Sequence, residues 1–212
     1  MANKKRKEEI RASYQRKAKE QQYEQATKHL FIFPWIALGV SVFTLLLMFV
    51  TFADVYNSAP GVGVEVKVSG WSFVMSGLTG NFTSTESIYG DMAMPFYYYA
   101  TEWCETVATC SFIAVGVIIL NIVLQIFAGI KKLHILNVVS AVLSLVATIL
   151  LIVCYAQGLA MKNGGILSIY CGGNPLCSIR SFAIFPAIIS LGGVVVSTIA
   201  TAEYMKASKL LK

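Results

Sequence analysis

Four long apolar stretches constrain this chain more than any other feature of its sequence. A bilayer core about 30 Å thick is crossed by about 20 apolar helical residues. Each stretch is long enough, and Lys and Arg are missing from all four. Since backbone polar groups in lipid must be satisfied within the segment, the stretches are predicted to be transmembrane helices. They cover residues 30–53, 107–130, 135–160 and 181–203.

The composition agrees with this assignment. The chain is 56% apolar and 13% charged, whereas soluble domains average roughly 45–50% and about 25%. This composition excludes a disordered chain, a small disulfide-rich secreted protein and an ordinary nucleic-acid-binding domain. The predicted fold class is an all-α membrane protein, a four-transmembrane-helix bundle with a small antiparallel β-sheet in the first extracellular loop.

Basic residues predict the direction of threading. Fourteen of the 17 Lys and Arg residues lie in the segment 1–29, in the short turn 131–134 and in the tail 204–212. By the positive-inside rule these three segments are cytoplasmic, and the loops 54–106 and 161–180 are extracellular. The expected location is the plasma membrane, with both termini cytoplasmic. The high isoelectric point therefore reflects topology and does not indicate nucleic acid.

The segment before the first span is polar and contains neither Gly nor Pro, which favours a helix. Its basic lead of nearly 30 residues is too long for a cleaved signal peptide, so the first span is expected to remain as an anchor. A solvated helical extension is the favoured interpretation. The alternative is contact of Lys4 to Lys7 with anionic headgroups or an acidic partner.

Alternation in the first extracellular loop predicts β-strands. Apolar and charged residues alternate from Val64 to Val68, which is typical of a strand with one covered face. A second strand is predicted from Trp71 to Leu78, followed by a turn at Gly80 and Asn81. Asn81 also begins a glycosylation sequon, which has meaning only in a eukaryotic source.

Aromatic residues are concentrated before the second span, which would begin near Pro95 if proline takes the first helical position. An interfacial aromatic belt is the favoured interpretation. The alternative is a partner-binding patch, because Tyr and Trp dominate interface hot spots. The candidate partner-binding residues are Trp71, Phe96, Tyr97, Tyr98, Tyr99 and Trp103.

The second extracellular loop contains a pair of cysteines around a Gly-Gly-Asn-Pro turn. Cys171 and Cys177 are predicted to form a disulfide on this oxidising side. A metal site is the rival interpretation, but both histidines are predicted to be cytoplasmic, so no metal is expected. The pairing of Cys104 and Cys110 is left open.

Polar residues inside the spans allow two interpretations. Asn121 and Gln125 share one helix face, and Asn137 lies on the next span. Hydrogen bonds between helices are favoured, because no charged residue joins the set. The alternative is a polar path for an ion or solute. On the fourth span, Gly193, Ser197 and Thr201 predict close packing, either internal or with another protein, and Pro186 predicts a kink.

The predicted layout resembles that of the claudin and peripheral-myelin-protein type of tetraspan. Trp71 and the Gly77-Leu78 pair resemble part of that family's first-loop pattern. The resemblance covers topology over most of the chain. It implies cytoplasmic termini, a sheet-forming first loop and a smaller second loop, and it does not imply paracellular sealing.

No catalytic, cofactor or metal signature is present in the sequence, so neither an enzyme nor a cofactor is expected. The predicted function is that of a non-enzymatic tetraspan working through protein–protein contacts. It would be an accessory or assembly subunit, or an adhesion-type scaffold, with lipid and other membrane subunits or copies of itself as partners. The alternative is a channel or transporter component with Asn121, Gln125 and Asn137 along its path.

Overall fold

The computed structural model describes residues 2–59, 62–80, 101–131, 133–164 and 177–209. These residues are mostly helical. The helices are α1 Ala2–Thr27, α2 Ile32–Leu47, α3 Gly70–Thr79, α4 Thr101–Lys131, α5 Leu136–Gly164 and α6 Phe185–Ser208. The strands are β1 Thr51–Ala59, β2 Val62–Ser69 and β3 Cys177–Phe182. One turn of 3₁₀ helix, Lys28–Phe31, joins α1 to α2.

Four helices are long and apolar enough to cross a bilayer, by length and composition: α2 with the end of α1, α4, α5 and α6. The chain is therefore a multi-pass membrane protein. The four spans form a closed ring in which α2 packs on α4, α4 on α5, α5 on α6 and α6 on α2. We call the side that carries the β-strands the sheet side. The side that carries the short α4–α5 connection is the turn side.

The bundle has small or polar side chains inside and large apolar side chains outside. Its buried positions hold mainly Ala, Ser, Asn, Gln and Thr, whereas the exposed positions hold Ile, Leu, Val and Phe. This distribution is expected where lipid surrounds the helices, since lipid tails are as apolar as leucine and small residues let helices approach closely.

Two predicted span boundaries are wrong. The first span was predicted to reach residue 53, but α2 ends at Leu47 and β1 begins at Thr51. Phe52 is buried against Phe73 of α3, with 6.2 Å between ring centroids, so its apolar character serves packing and not lipid contact. The fourth span was predicted to begin at residue 181, but 181 and 182 belong to β3 and α6 begins at Phe185.

Pro186 does not kink the fourth span as predicted. It lies in the first turn of α6, where its missing N–H has no intrahelical partner to lose. It therefore starts the helix.

The three strands form one antiparallel sheet in the order β2-β1-β3. Val55 of β1 pairs with Val66 of β2 on one side and with Ile179 of β3 on the other. The predicted strand from Val64 to Val68 lies within β2. The sheet was expected within the first loop alone, but its third strand comes from the segment just before α6. The sheet therefore ties the end of α2 to the start of α6.

The second predicted strand, from Trp71 to Leu78, is wrong: these residues form helix α3. Ser69 caps its start by accepting a hydrogen bond from the Ser72 N–H at 3.2 Å. Gly80 ends it in the left-handed region, with φ of 65°. The predicted turn at Gly80 is thus the C-terminal cap of a helix.

Several predictions fall outside the described residues. These are the helix start near Pro95, the sequon at Asn81, the aromatic residues Phe96, Tyr97, Tyr98 and Tyr99, and the Cys171 end of the predicted disulfide.

Candidate functional site in the bundle centre

Eight polar residues of the four spans meet at the centre of the bundle. Each lies on the buried face of its helix, and together they form one hydrogen-bonded set that we call the serine–amide network. Its members are Ser41 of α2, Asn121 and Gln125 of α4, Ser140, Ser144 and Thr148 of α5, and Ser190 and Ser197 of α6.

Asn121 joins three helices at the middle of the network. It is 2% exposed. Its side-chain Nδ2 donates to Ser144 Oγ at 2.9 Å and to Ser41 Oγ at 3.3 Å. One amide group therefore links α4 to both α5 and α2.

Gln125 continues the network one turn toward the turn side. Its Nε2 donates to Ser140 Oγ at 2.8 Å, and its Oε1 accepts from Ser41 Oγ at 3.4 Å. Ser140 Oγ in turn lies 3.1 Å from Ser197 Oγ of α6. Through Ser41, the Asn121 and Gln125 amides belong to the same set.

Thr148 and Ser190 extend the network toward the sheet side. Thr148 Oγ1 donates to the Ser144 carbonyl at 2.8 Å and lies 2.9 Å from Ser190 Oγ. At 1.5 Å of helix rise per residue, the stretch from Ser140 to Thr148 covers about 12 Å of depth. The network thus occupies over a third of a hydrocarbon core about 30 Å thick.

Gly193 and Ser197 of the small-residue stripe face inward. A Cβ at Gly193 would lie 3.3 Å from Ser144 Oγ and 3.6 Å from a methyl group of Val40, so the missing side chain lets α6 approach. Thr201 is half-buried and donates to the Ser197 carbonyl at 2.8 Å. The described geometry therefore uses this stripe for packing within the chain.

The space inside the network is very small. A cavity of about 10 Å³ adjoins Asn121, Ser144 and Ser190. One water needs roughly 10–15 Å³. Among the described residues, two buried side-chain atoms have no hydrogen-bond partner, Asn121 Oδ1 and Asn137 Nδ2. One of these residues lines the cavity, so the cavity suits at most a single water and no larger solute.

The network contains no ionisable side chain, so its electrostatics rest on amide and hydroxyl dipoles. Within the described ranges there is also no group of three His, Cys, Asp or Glu residues placed to hold a metal ion. The two cysteines of the spans with described side chains, Cys110 and Cys154, are free thiols. Cys154 is buried, with its Sγ 3.5 Å from Ser111 Oγ.

The other predicted site residues lie elsewhere. Trp71 is half-buried on α3 and stacks on Phe49, with 5.0 Å between ring centroids. Asn137 is buried in the first turn of α5, three residues before Ser140, so it lies at the turn-side end of the bundle. Trp103 lies in the first turn of α4 and Cys177 begins β3, but only their backbones are described.

Sequence reasoning missed three members of the network, Ser41, Thr148 and Ser190, and it assigned Ser197 to close packing without a hydrogen bond. Each is a hydroxyl residue on the inward stripe of an apolar helix. The spacing of Ser140, Ser144 and Thr148 at four-residue intervals was the signal that could have extended the predicted set.

No protein-family model, curated protein or solved structure matches this chain. The four membrane-length helices are compatible with a tetraspan topology, and no resemblance to claudins is shown.

Proposed function

We propose that this protein is a non-enzymatic tetraspan that works through protein–protein contacts, as an accessory or assembly subunit of a membrane complex. The serine–amide network carries the proposal. Its side chains pair with one another across all four spans, and the cavity beside them holds no more than about one water. Such a centre favours a bundle that keeps one fixed shape for binding other proteins over a route for a solute.

The exposed helix α1 supports the same proposal from the turn side. Arg11 and all residues from Ser13 to Gln22 are exposed, so this stretch of α1 presents its side chains to the surroundings of the bundle. The segment 2–29 carries nine basic and four acidic residues. A helix that leaves the membrane with this charge suits an acidic protein surface.

The proposed setting is the plasma membrane, with the termini and the turn side cytoplasmic and the sheet side extracellular. The uneven distribution of Lys and Arg supports this orientation. A disulfide between Cys171 and Cys177 would then close the loop before β3 on the oxidising side. The claudin-like layout is proposed for topology alone.

Mild-detergent extraction of the tagged full chain from its native membranes tests the proposal. We expect a distinct membrane protein to co-purify in constant proportion. A chain recovered only as a monomer, with nothing bound, would contradict an assembly role.

Charge variants locate the contact. Lys17→Glu with Lys19→Glu should reduce the recovered partner severalfold, because both side chains are exposed on α1. Lys17→Arg with Lys19→Arg keeps the charge and should leave recovery unchanged. Lys67→Glu, on the opposite side of the bundle, is the second control.

A polar pathway remains the second candidate, favoured by the unpaired buried atoms of Asn121 and Asn137. Solute flux in proteoliposomes distinguishes the two functions. Flux that disappears in Asn121→Leu with Gln125→Leu, while the variant keeps its fold, would support the pathway and displace the assembly role.

A further inference from the structure

Helix α3 has two apolar faces. Gly70, Phe73, Val74 and Gly77 face the bundle. Trp71, Met75 and Leu78 lie within roughly 60° of one another on another face, at 100° per residue. Met75 is 39% exposed and Leu78 is 59% exposed. Phe49, stacked on Trp71 and itself 57% exposed, extends this second face, which we call the α3 outer face.

The depth of α3 follows from its contacts with α4. A Cβ at Gly77 would lie 2.5 Å from the Ala108 carbonyl oxygen and 2.9 Å from Phe112 Cβ, so the two backbones touch there. Counting about 20 residues from Lys131 at the turn side places the other limit of the hydrocarbon core near residue 111. The C-terminal half of α3 therefore lies at the boundary between hydrocarbon and headgroups.

The N-terminal end of α3 lies at the end of another span. The Trp71 N–H donates to the Met48 carbonyl at 2.7 Å, one residue beyond the end of α2. Helix α3 thus bridges the sheet-side ends of α2 and α4.

The polar groups of α3 are satisfied as a lipid environment requires. Ser76 Oγ donates to the Ser72 carbonyl at 3.0 Å, and Thr79 Oγ1 donates to the Met75 carbonyl at 2.9 Å. The chain has no charged residue from Val68 to Thr85. Both the internal hydrogen bonds and the lack of charge suit a helix in contact with lipid.

We propose that α3 is an interfacial membrane helix whose outer face of Phe49, Trp71, Met75 and Leu78 is immersed in the lipid leaflet on the sheet side. Its outer face continues the lipid-exposed surface of the spans, where Phe112 and Ile113 of α4 are exposed beside it. An apolar helical face seated at the acyl–headgroup boundary, with a Trp in it, is the arrangement that such helices use.

Depth-dependent fluorescence quenching tests this placement. In the full chain with Trp35→Phe and Trp103→Phe, Trp71 is the sole tryptophan. In vesicles of phosphatidylcholine brominated near the headgroup end of the acyl chain, we expect the strongest quenching of Trp71 emission. Bromine near the bilayer centre should quench less, and aqueous iodide least.

A spin label provides a second readout that does not depend on Trp71. At Leu78→Cys, oxygen from the lipid phase should broaden the signal more than a water-soluble nickel complex does. The matched control is Leu120→Cys, which is exposed in the middle of α4 and marks the lipid response. Lys67→Cys, exposed on β2, marks the aqueous response.

Two outcomes would overturn the proposal. Iodide quenching of Trp71 together with a Lys67-like nickel response would place the face in water. Protection from both lipid and aqueous probes would mean that a protein covers it, and cross-linking through Leu78→Cys would then identify a second copy or another subunit.

Discussion

The centre of the bundle and its sheet side are held together by different interactions. At the centre, side-chain hydrogen bonds such as Asn121 to Ser144 join the helices, and Gly193 lets two of them approach closely. At the sheet side, backbone pairing in the sheet and aromatic packing of Phe52 on Phe73 join the same helices. Where lipid surrounds the chain, burying apolar groups gains little, so polar pairs and close packing specify the contacts. Near the headgroups water is present, so burying apolar side chains such as Phe52 and Phe73 is again favourable.

Removing an aromatic ring from the sheet side should have the largest effect. Phe73 is 1% exposed. Phe73→Ala should lower the free energy of unfolding by about 3–5 kcal/mol, because the ring leaves a cavity against Phe52. Denaturant titration in detergent micelles measures the loss.

The control for this variant is Leu78→Ala on the α3 outer face. It should change the same free energy by less than about 0.5 kcal/mol. Equal losses in the two variants would mean that the sheet side has no hydrophobic core of the kind described.

Crowding the α3–α4 contact should have the next largest effect. In Gly77→Ala the new methyl group would meet the Ala108 backbone at 2.5 Å, so α3 must move away. The expected loss is about 1–3 kcal/mol of unfolding free energy. Gly116→Ala is the matched control on α4, because nothing lies within 4 Å of its Cβ position. A neutral Gly77→Ala with a folded α3 would disprove the close contact.

Breaking a hydrogen bond of the serine–amide network should have the smallest effect on the free energy of unfolding. A double-mutant cycle of Asn121→Ala and Ser144→Ala should give a favourable interaction of about 0.5–1.5 kcal/mol. A cycle of Asn121→Ala with Ser111→Ala is the control, because Ser111 is buried but pairs with Cys154. Equal couplings in the two cycles would show that the Asn121–Ser144 bond has no specific role.

The same contrast explains what the sequence could predict. Long apolar runs with no Lys or Arg reveal membrane-length helices, because hydropathy is averaged over about 20 residues. At the sheet side hydropathy misleads: Phe52 extends the apolar run, yet it belongs to β1 and packs inside. The short apolar run from Trp71 to Leu78 suits a strand as well as a helix, and only the caps at Ser69 and Gly80 indicate the helix α3.

The candidate site was predictable in part. Asn121 and Gln125 are four residues apart, so their shared helix face follows from helical geometry. Their partners on α2 and α6 do not follow, because the arrangement of four helices around a ring depends on contacts far apart in the sequence. Ser41, for example, lies 80 residues from Asn121.

Accessibility of Ser144→Cys tests most directly whether the bundle centre is a closed packing network. A membrane-impermeant thiol reagent is applied from each side of the membrane in turn, and the site of modification is mapped by peptide mass. Lys67→Cys, exposed on β2, is the positive control for reagent reaching the sheet side. The account predicts that the thiol introduced by Ser144→Cys stays unmodified from both sides, because the cavity beside this position is about 10 Å³. Modification from either side would show a water-filled route and contradict the account.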